Sequence, residues 1–228
     1  MRLDRFLSEN TNMSRKEAKR ALHRESITVD MQVVKKGDVK IIDQQVHYEG
    51  VLVTIRKPVF IMLHKPAGYI CSTVDDDGIS VLDLLPEEMR HGLHIAGRLD
   101  KDTTGLVLIT EDGQWSHRVT SPNKECYKTY LVEVELPLEQ QLIEQFKAGI
   151  QLENENKLTK PAQLEIVTEK TARLKICEGK YHQVKRMFAA VDNRVASLHR
   201  ESVGPLSIED SLASGQWRDL TEQEIQYF

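Results

Sequence analysis

Cysteine is scarce in this chain. Its 228 residues hold three, Cys71, Cys126 and Cys177, far apart and odd in number. No Cys-x-x-Cys spacing occurs, so neither a structural zinc site nor a disulfide framework is supported, and free thiols suit a reducing cytoplasm. Long apolar runs are missing as well. The longest covers residues 59–63, far short of the roughly 20 residues a membrane-spanning helix needs. The first residues turn polar at once and carry no apolar segment of the kind a signal peptide has, so a cytoplasmic location is expected. No internal repeat and no low-complexity tract is visible. There is also no overall excess of basic charge: 31 Lys and Arg face 35 Asp and Glu, for a net charge of −4. The total therefore announces no nucleic acid.

The charge is segregated, however. Residues 1–40 hold ten Lys and Arg against six Asp and Glu, and residues 180–200 hold five against one. Local patches of this kind bind phosphates whatever the total charge. Within the first patch, Leu3, Phe6 and Leu7 follow helical spacing. Ser14-Arg15-Lys16-Glu17 has the form of a capping box, with Ser14 as N-cap and Glu17 reaching back. The helix behind it buries Ala18, Ala21 and Leu22. Lys16, Lys19, Arg20, His23 and Arg24 recur at i, i+3, i+4, i+7 and i+8, a basic stripe along one face. Residues 26–29 and 32–34 flank Asp30-Met31 as a hairpin. Residues 1–43 thus read as a small module, residues 44–58 as a polar, irregular linker, and residues 59–228 as a larger domain.

In that larger domain residues 60–63 read as a buried strand stopped by Lys65-Pro66. Asp75-Asp76-Asp77-Gly78 reads as a solvated turn, because consecutive carboxylates cannot all face one ion; no metal is expected. Residues 97–110 form a polar loop, Gly97-Arg98-Leu99-Asp100-Lys101-Asp102-Thr103-Thr104, that runs into an apolar strand. A strand-anchored loop is a rigid mount for a reactive carboxylate. Residues 128–134 alternate as a strand with Tyr130, Val132 and Val134 on one face. Leu138, Leu142 and Phe146 mark a helix. Residues 162–167 and 172–177 read as strands, residues 182–191 as a helix, and residues 195–198 as a last strand. Strands dominate without a regular βαβ repeat, which predicts an α+β fold with a mixed or antiparallel sheet.

The start Arg2-Leu3-Asp4-Arg5-Phe6-Leu7, with Ser14-Arg15 and the Val29-Asp30 hairpin, resembles the RNA-binding domain named after small-subunit ribosomal protein S-four. That likeness implies docking on structured RNA, with Arg5, Arg15, Lys16, Lys19 and Arg20 on phosphates. Four further pieces, in order, resemble the pseudouridine synthases of the branch that modifies ribosomal RNA, and among them its small-subunit members. They are Lys65-Pro66, the Gly-Arg-Leu-Asp loop at Gly97, Lys128-Thr129-Tyr130, and Glu178-Gly179-Lys180-Tyr181-His182-Gln183-Val184-Lys185-Arg186. The resemblance covers essentially the whole chain.

It implies a cofactor-free isomerisation of a uridine in small-subunit ribosomal RNA, at a uridine-516-type site, by a protein that nothing marks as other than a monomer. It places Asp100 at the ribose, as nucleophile at C1′ or base at C2′, and Lys185 beside it as the cation that keeps it ionised. Tyr130 lies against the uracil, Arg98 holds the flipped nucleotide, and Val184 gives apolar contact on the base. His182, Thr103 and Lys65 complete the substrate contacts, and Arg186 joins the RNA-binding cations.

Each residue taken singly has a plainer role: Lys185 as a solvated helix lysine, Tyr130 as core, His182 as a cap. Two other functions also fit parts of the pattern. One is a ribosome-binding protein with an inactive enzyme fold. The other is a hydrolase using Asp100 as general base, although a glycosidase would want a second carboxylate across the bond.

Overall fold

The computed structural model describes residues 1–11, 13–55, 57–73, 78–121 and 124–228. The acidic tip read at Asp75, Asp76 and Asp77 lies outside the described residues. The chain divides into two compact units, Met1–Lys57 and Pro58–Phe228.

The first unit packs two helices, α1 (Leu3–Asn10) and α2 (Arg15–His23), with a four-stranded antiparallel sheet in the order β2-β1-β3-β4. These strands are β1 (Ile27–Val29), β2 (Gln32–Val33), β3 (Val46–Tyr48) and β4 (Val51–Leu52). The helices form as their spacing predicts. Leu3, Leu7, Ala18 and Leu22 are buried together with Ile27, Ile41 and Val46. Both halves of the capping box at α2 are present: the Glu17 N–H donates to Ser14 Oγ at 3.3 Å, and the Ser14 N–H donates to Glu17 Oε2 at 2.7 Å.

The linker reading of residues 44–58 needs correction. Residues 46–52 make a hairpin that pairs through Val46 with Val29, so this stretch is part of the small sheet. Val46 faces the core there with Tyr48 and Val53 packed against it, and these few inward residues among Gln, His and Glu do not make a period of two stand out.

The second unit is built on one nine-stranded sheet. Its main path is β13-β5-β7-β11-β8-β10-β9. The strands are β5 (Phe60–Lys65), β7 (Thr104–Thr110), β8 (Lys128–Val134), β9 (Gln163–Thr168), β10 (Thr171–Ile176), β11 (Val195–Val203) and β13 (Trp217–Asp219). Two short strands lie off the path: β6 (His94–Ala96) on β7 and β12 (Leu206–Ser207) on β11. Among the described strands of this unit only β7 and β11 pair in parallel; the other pairs are antiparallel. The expected α+β class with a mixed sheet is therefore the observed one. The strand starting at Val195 extends to Val203 and is not the last, since β12 and β13 follow it.

Alternation along the strands gives the sheet two apolar faces. Ile61, Leu63, Val107, Ile109, Tyr130 and Val132 face one core, which α4 (Gln141–Ala148) and α5 (Gln183–Ala189) cover with Leu142, Phe146, Met187 and Phe188. Met62, Leu106 and Leu108 face the other, covered by Trp115 and Val119 of α3 (Gly113–Thr120). The short α6 (Glu222–Ile225) closes that side, where the Trp115 indole N–H donates to the Ile225 carbonyl at 2.9 Å.

Candidate active site

The loop between β6 and β7 is held from beneath by two buried cations. Lys65 sits at the end of β5 and is 0% exposed. Its ammonium donates to the carbonyls of Thr103 (2.7 Å), Pro66 (3.1 Å) and Lys101 (3.2 Å). Arg200, on β11 and 2% exposed, donates through Nε to the Leu106 carbonyl and through Nη2 to the Gly97 carbonyl, each at 2.7 Å. The loop thus has its start, its middle and its exit into β7 pinned by donors from two neighbouring strands. Further bonds stiffen it. The Thr103 N–H donates to the Asp100 carbonyl (3.1 Å), the Leu99 N–H to Cys71 Sγ (3.3 Å), and Thr104 Oγ1 shares a 2.8 Å hydrogen bond with His199 Nδ1. Such multiple satisfaction of backbone carbonyls is what a buried ammonium requires, since an unpaired one would be strongly unfavourable. Burial pulls the Lys65 pKa down, against the pull of Cys71, Asp102 and Asp100. Burial likewise pushes the Cys71 thiol up.

What this mount presents is the Asp100 carboxylate, 27% exposed. Its Oδ2 lies 3.2 Å from Lys185 Nζ, and its Oδ1 lies 3.5 Å from His182 Nε2. Both partners come from the start of α5, His182 as its N-cap and Lys185 in its first turn. The helix is aimed by its own first turn. His182 takes the left-handed backbone region (φ +47°) as N-cap. Gln183 is buried, accepts from the Lys180 N–H at 2.8 Å and donates to Glu178 Oε1 at 2.8 Å. With Val184, Met187 and Phe188 buried, Lys185 falls on the side turned to the loop. Lys185 also donates to both oxygens of Asp102, at 2.7 and 2.9 Å. Burial works against its charge, but the hydrogen bonds to Asp102 and Asp100 outweigh that, and the ammonium titrates above the ordinary lysine range. The same hydrogen bond from Lys185 holds Asp102 below the usual carboxylate range.

A partly exposed carboxylate on a rigid loop, charge-paired and within reach of an imidazole, can act as a nucleophile or a base on a bound substrate. The family model for RNA pseudouridylate synthase matches residues 59–190, which contain Lys65, the Asp100 loop, His182 and Lys185. The chain belongs to the RNA pseudouridylate synthase family.

Full-length relatives of this pseudouridine synthase agree. It is 53% identical to the protein named ribosomal small subunit pseudouridine synthase A of Yersinia pestis, over 99% of this chain and 97% of that one. It is 51% identical to the protein of the same name in Escherichia coli strain K12, over 99% and 98%. A crystal structure of a pseudouridylate synthase superposes with a TM-score of 0.73 at 43% identity, covering 100% of this chain and 99% of that one.

The structure sorts the residues expected at the site of this pseudouridine synthase. Asp100, Lys185 and His182 are brought together. Arg98 stands exposed two residues before Asp100. Tyr130 is nearly buried on β8, opposite Arg200 of β11 in the sheet register. Others have different work. Lys65 was expected to contact substrate, but it is enclosed and its donors go to the loop carbonyls. Thr103 is 1% exposed, and its hydroxyl has no hydrogen-bond partner among the described residues, so it too lies under the loop rather than open to substrate. Val184 is buried with Met187 and Phe188 and packs the helix onto the sheet instead of standing open to a base. Arg186 is not a loose RNA-facing cation: it donates to the carbonyls of Glu153 (2.5 Å) and Tyr181 (3.2 Å) and pairs with Glu155 at 3.3 Å. Arg5 pairs with Glu9 at 2.6 Å. Arg15, Lys16, Lys19 and Arg20 are all exposed on α2.

Three residues join the site that sequence reasoning did not assign to it. Asp102 was visible as a second acid two positions after Asp100. Arg200 lies two residues beyond the strand read at 195–198 and counts in the sequence only as one cation of the basic stretch 180–200. Tyr181, 76% exposed and stacked on the His182 ring at 3.8 Å between centroids, stands in the Glu178–Arg186 motif with no role of its own in the sequence pattern.

Proposed function

We propose that this chain converts one uridine of small-subunit ribosomal RNA to pseudouridine, with Asp100 as the carboxylate that acts at the ribose. The observation that carries the assignment is the 3.2 Å pairing of Asp100 with Lys185 on a loop pinned by Lys65 and Arg200. The names of the full-length relatives support small-subunit ribosomal RNA as the substrate; the uridine-516-type position is what the resemblance of the motifs implies.

In this reading the uridine is flipped out of its stack so that Asp100 can reach the sugar. The N1–C1′ bond breaks, the uracil turns, and C1′ joins C5. The proton lost at C5 is matched by one gained at N1, so nothing leaves and no redox equivalent is needed. Lys185 keeps charge density on Asp100 balanced while it attacks C1′ or draws the C2′ proton. Arg98 is placed to hold the flipped nucleotide, His182 with its stacked Tyr181 borders the carboxylate, and Tyr130 lies against the base. The exposed cations of α2 dock the first unit on RNA phosphates. The protein acts as a cytoplasmic monomer, on naked RNA or on an assembling particle.

The test is a pseudouridine map of small-subunit ribosomal RNA, naked and in assembly intermediates, after incubation with wild type and with Asp100→Asn. One new pseudouridine with wild type and none with the variant, with RNA affinity retained, is the expected result. Tight binding by wild type without modification of either substrate would leave an RNA-binding protein instead.

A further inference from the structure

Lys185 has two carboxylate partners, and the one assigned to the chemistry is the more distant. Asp102 engages the ammonium with both oxygens at 2.7 and 2.9 Å, whereas Asp100 approaches with one oxygen at 3.2 Å. The two acids alternate along one loop. Lys101 between them turns away, its ammonium lying in the neighbourhood of Gly78. Asp102 is on the rim, its side chain 72% exposed, and its carboxylate has this one cation as its hydrogen-bonded partner among the described residues. An acid at the mouth of a site for a polyanion is costly for substrate approach, since phosphates and carboxylates repel. Its presence there calls for a role that offsets this.

We propose that Asp102 is a positioning residue: it draws the Lys185 ammonium to one side, so that Lys185 neutralises Asp100 without capping the oxygen that must react. This rests on the reading of Asp100 as the group acting at the ribose. The electrostatic argument is direct. An ammonium with a single carboxylate neighbour closes to a short charge-assisted hydrogen bond. A carboxylate held that way has its lone pairs committed and must break the contact to attack carbon or accept a proton. An ammonium shared with a second acid stays longer from the first, as the 3.2 Å distance shows. The raised pKa of Lys185 fits the same arrangement, because two acids oppose the effect of burial.

The experiment compares wild type, Asp102→Asn and Asp102→Glu as full-length proteins in single-turnover pseudouridine formation on small-subunit ribosomal RNA. The maximal rate and the half-saturating concentration are measured separately. The expected result for Asp102→Asn is a maximal rate lower by roughly 10- to 100-fold, with half-saturation moved by less than about threefold. Asp102→Glu should recover most of the rate, since it returns a carboxylate to Lys185. Thermal melting should shift by no more than about 2 °C, as expected for a rim ion pair. Three outcomes overturn the proposal. One is a wild-type maximal rate in Asp102→Asn. Another is an unchanged rate with tighter RNA binding, which would make Asp102 merely a repelling rim charge. The third is a rate loss that Glu does not relieve. If wild type itself forms no pseudouridine on this RNA, the proposed function fails, and that result is distinct from any failure confined to Asp102→Asn.

Discussion

Gly105 lies against the backbone of Arg200 where β7 and β11 run parallel: a Cβ at Gly105 would stand 2.3 Å from the Arg200 carbonyl oxygen and 2.5 Å from its nitrogen. The glycine also takes φ +113°, a region that L side chains rarely adopt. It is therefore what lets Arg200 come close enough to reach Gly97 and Leu106 with its guanidinium. Gly105→Ala is expected to destabilise by about 3 kcal/mol or more, through clash and strain together. A thermal melt should show a fall of roughly 10 °C. A shift of only a degree or two would mean that the two strands can part without consequence.

Lys65 holds the loop that carries Asp100 from beneath. Lys65→Met keeps the stem and removes the donor, leaving the carbonyls of Pro66, Lys101 and Thr103 without it. Leaving a buried carbonyl unsatisfied costs about 1–3 kcal/mol. Stability and the rate of pseudouridine formation should both fall, while affinity for RNA through the first unit stays. Normal turnover in a folded Lys65→Met protein would show that the loop holds its shape by other means.

Among the described residues, Lys185 is the one lysine or arginine ion-paired with Asp100. Lys185→Gln should lower the maximal rate by about 100-fold or more, and Lys185→Arg by less, because a guanidinium keeps the charge. Removing the ammonium also frees Asp102, so its carboxyl should return upward to the ordinary carboxylate range. Carbon-detected NMR titration of Asp102 in wild type and Lys185→Gln measures this directly, and identical titrations would contradict the pairing.

Exposed cations on α2 should make RNA binding salt-dependent. Replacing Lys16, Lys19 and Arg20 together by Gln is expected to flatten the slope of log affinity against log salt by about 2 units. The fold of the second unit should not change, which circular dichroism and melting can verify. An unchanged slope would move the RNA-docking surface elsewhere.

The C-terminal segment carries its own acid sensitivity. Glu224 receives both Nη groups of Arg218, at 2.7 and 2.9 Å, and this holds its carboxyl down to about 2 from the ordinary 4.5. Because the folded-state value is the lower one, the stabilisation is complete above about pH 4.5 and is lost as pH falls through about 2. Glu224→Gln should therefore cost about 2–3 kcal/mol in urea unfolding at pH 7, and the difference between the two proteins should shrink steadily from pH 4.5 downward. A difference that persists undiminished at pH 2 would assign it to packing rather than to charge.

Much of this protein was decided by the sequence alone. The helix at Arg15 announces itself by its capping box and by the spacing of Ala18, Ala21 and Leu22. The strand at Thr104 shows in its apolar run, and the alternation of Tyr130, Val132 and Val134 shows which face of β8 goes inward. These signals are local, because helix and strand impose periods of 3.6 and 2 on neighbouring residues. The motifs around Asp100 and Lys185 were equally legible as a pattern of residue types. What only the tertiary structure decided is the partnership of each charge. Nothing in the spacing says that Lys65 and Arg200 turn inward to the loop carbonyls, that Thr103 lies beneath the loop, that Arg186 is taken up by Glu155, or that Lys185 divides itself between Asp100 and Asp102. A lysine's neighbours in sequence do not reveal whether it will be solvated or enclosed. That depends on which distant carbonyls and carboxylates the folded chain brings within about 3 Å, the range in which a hydrogen bond forms.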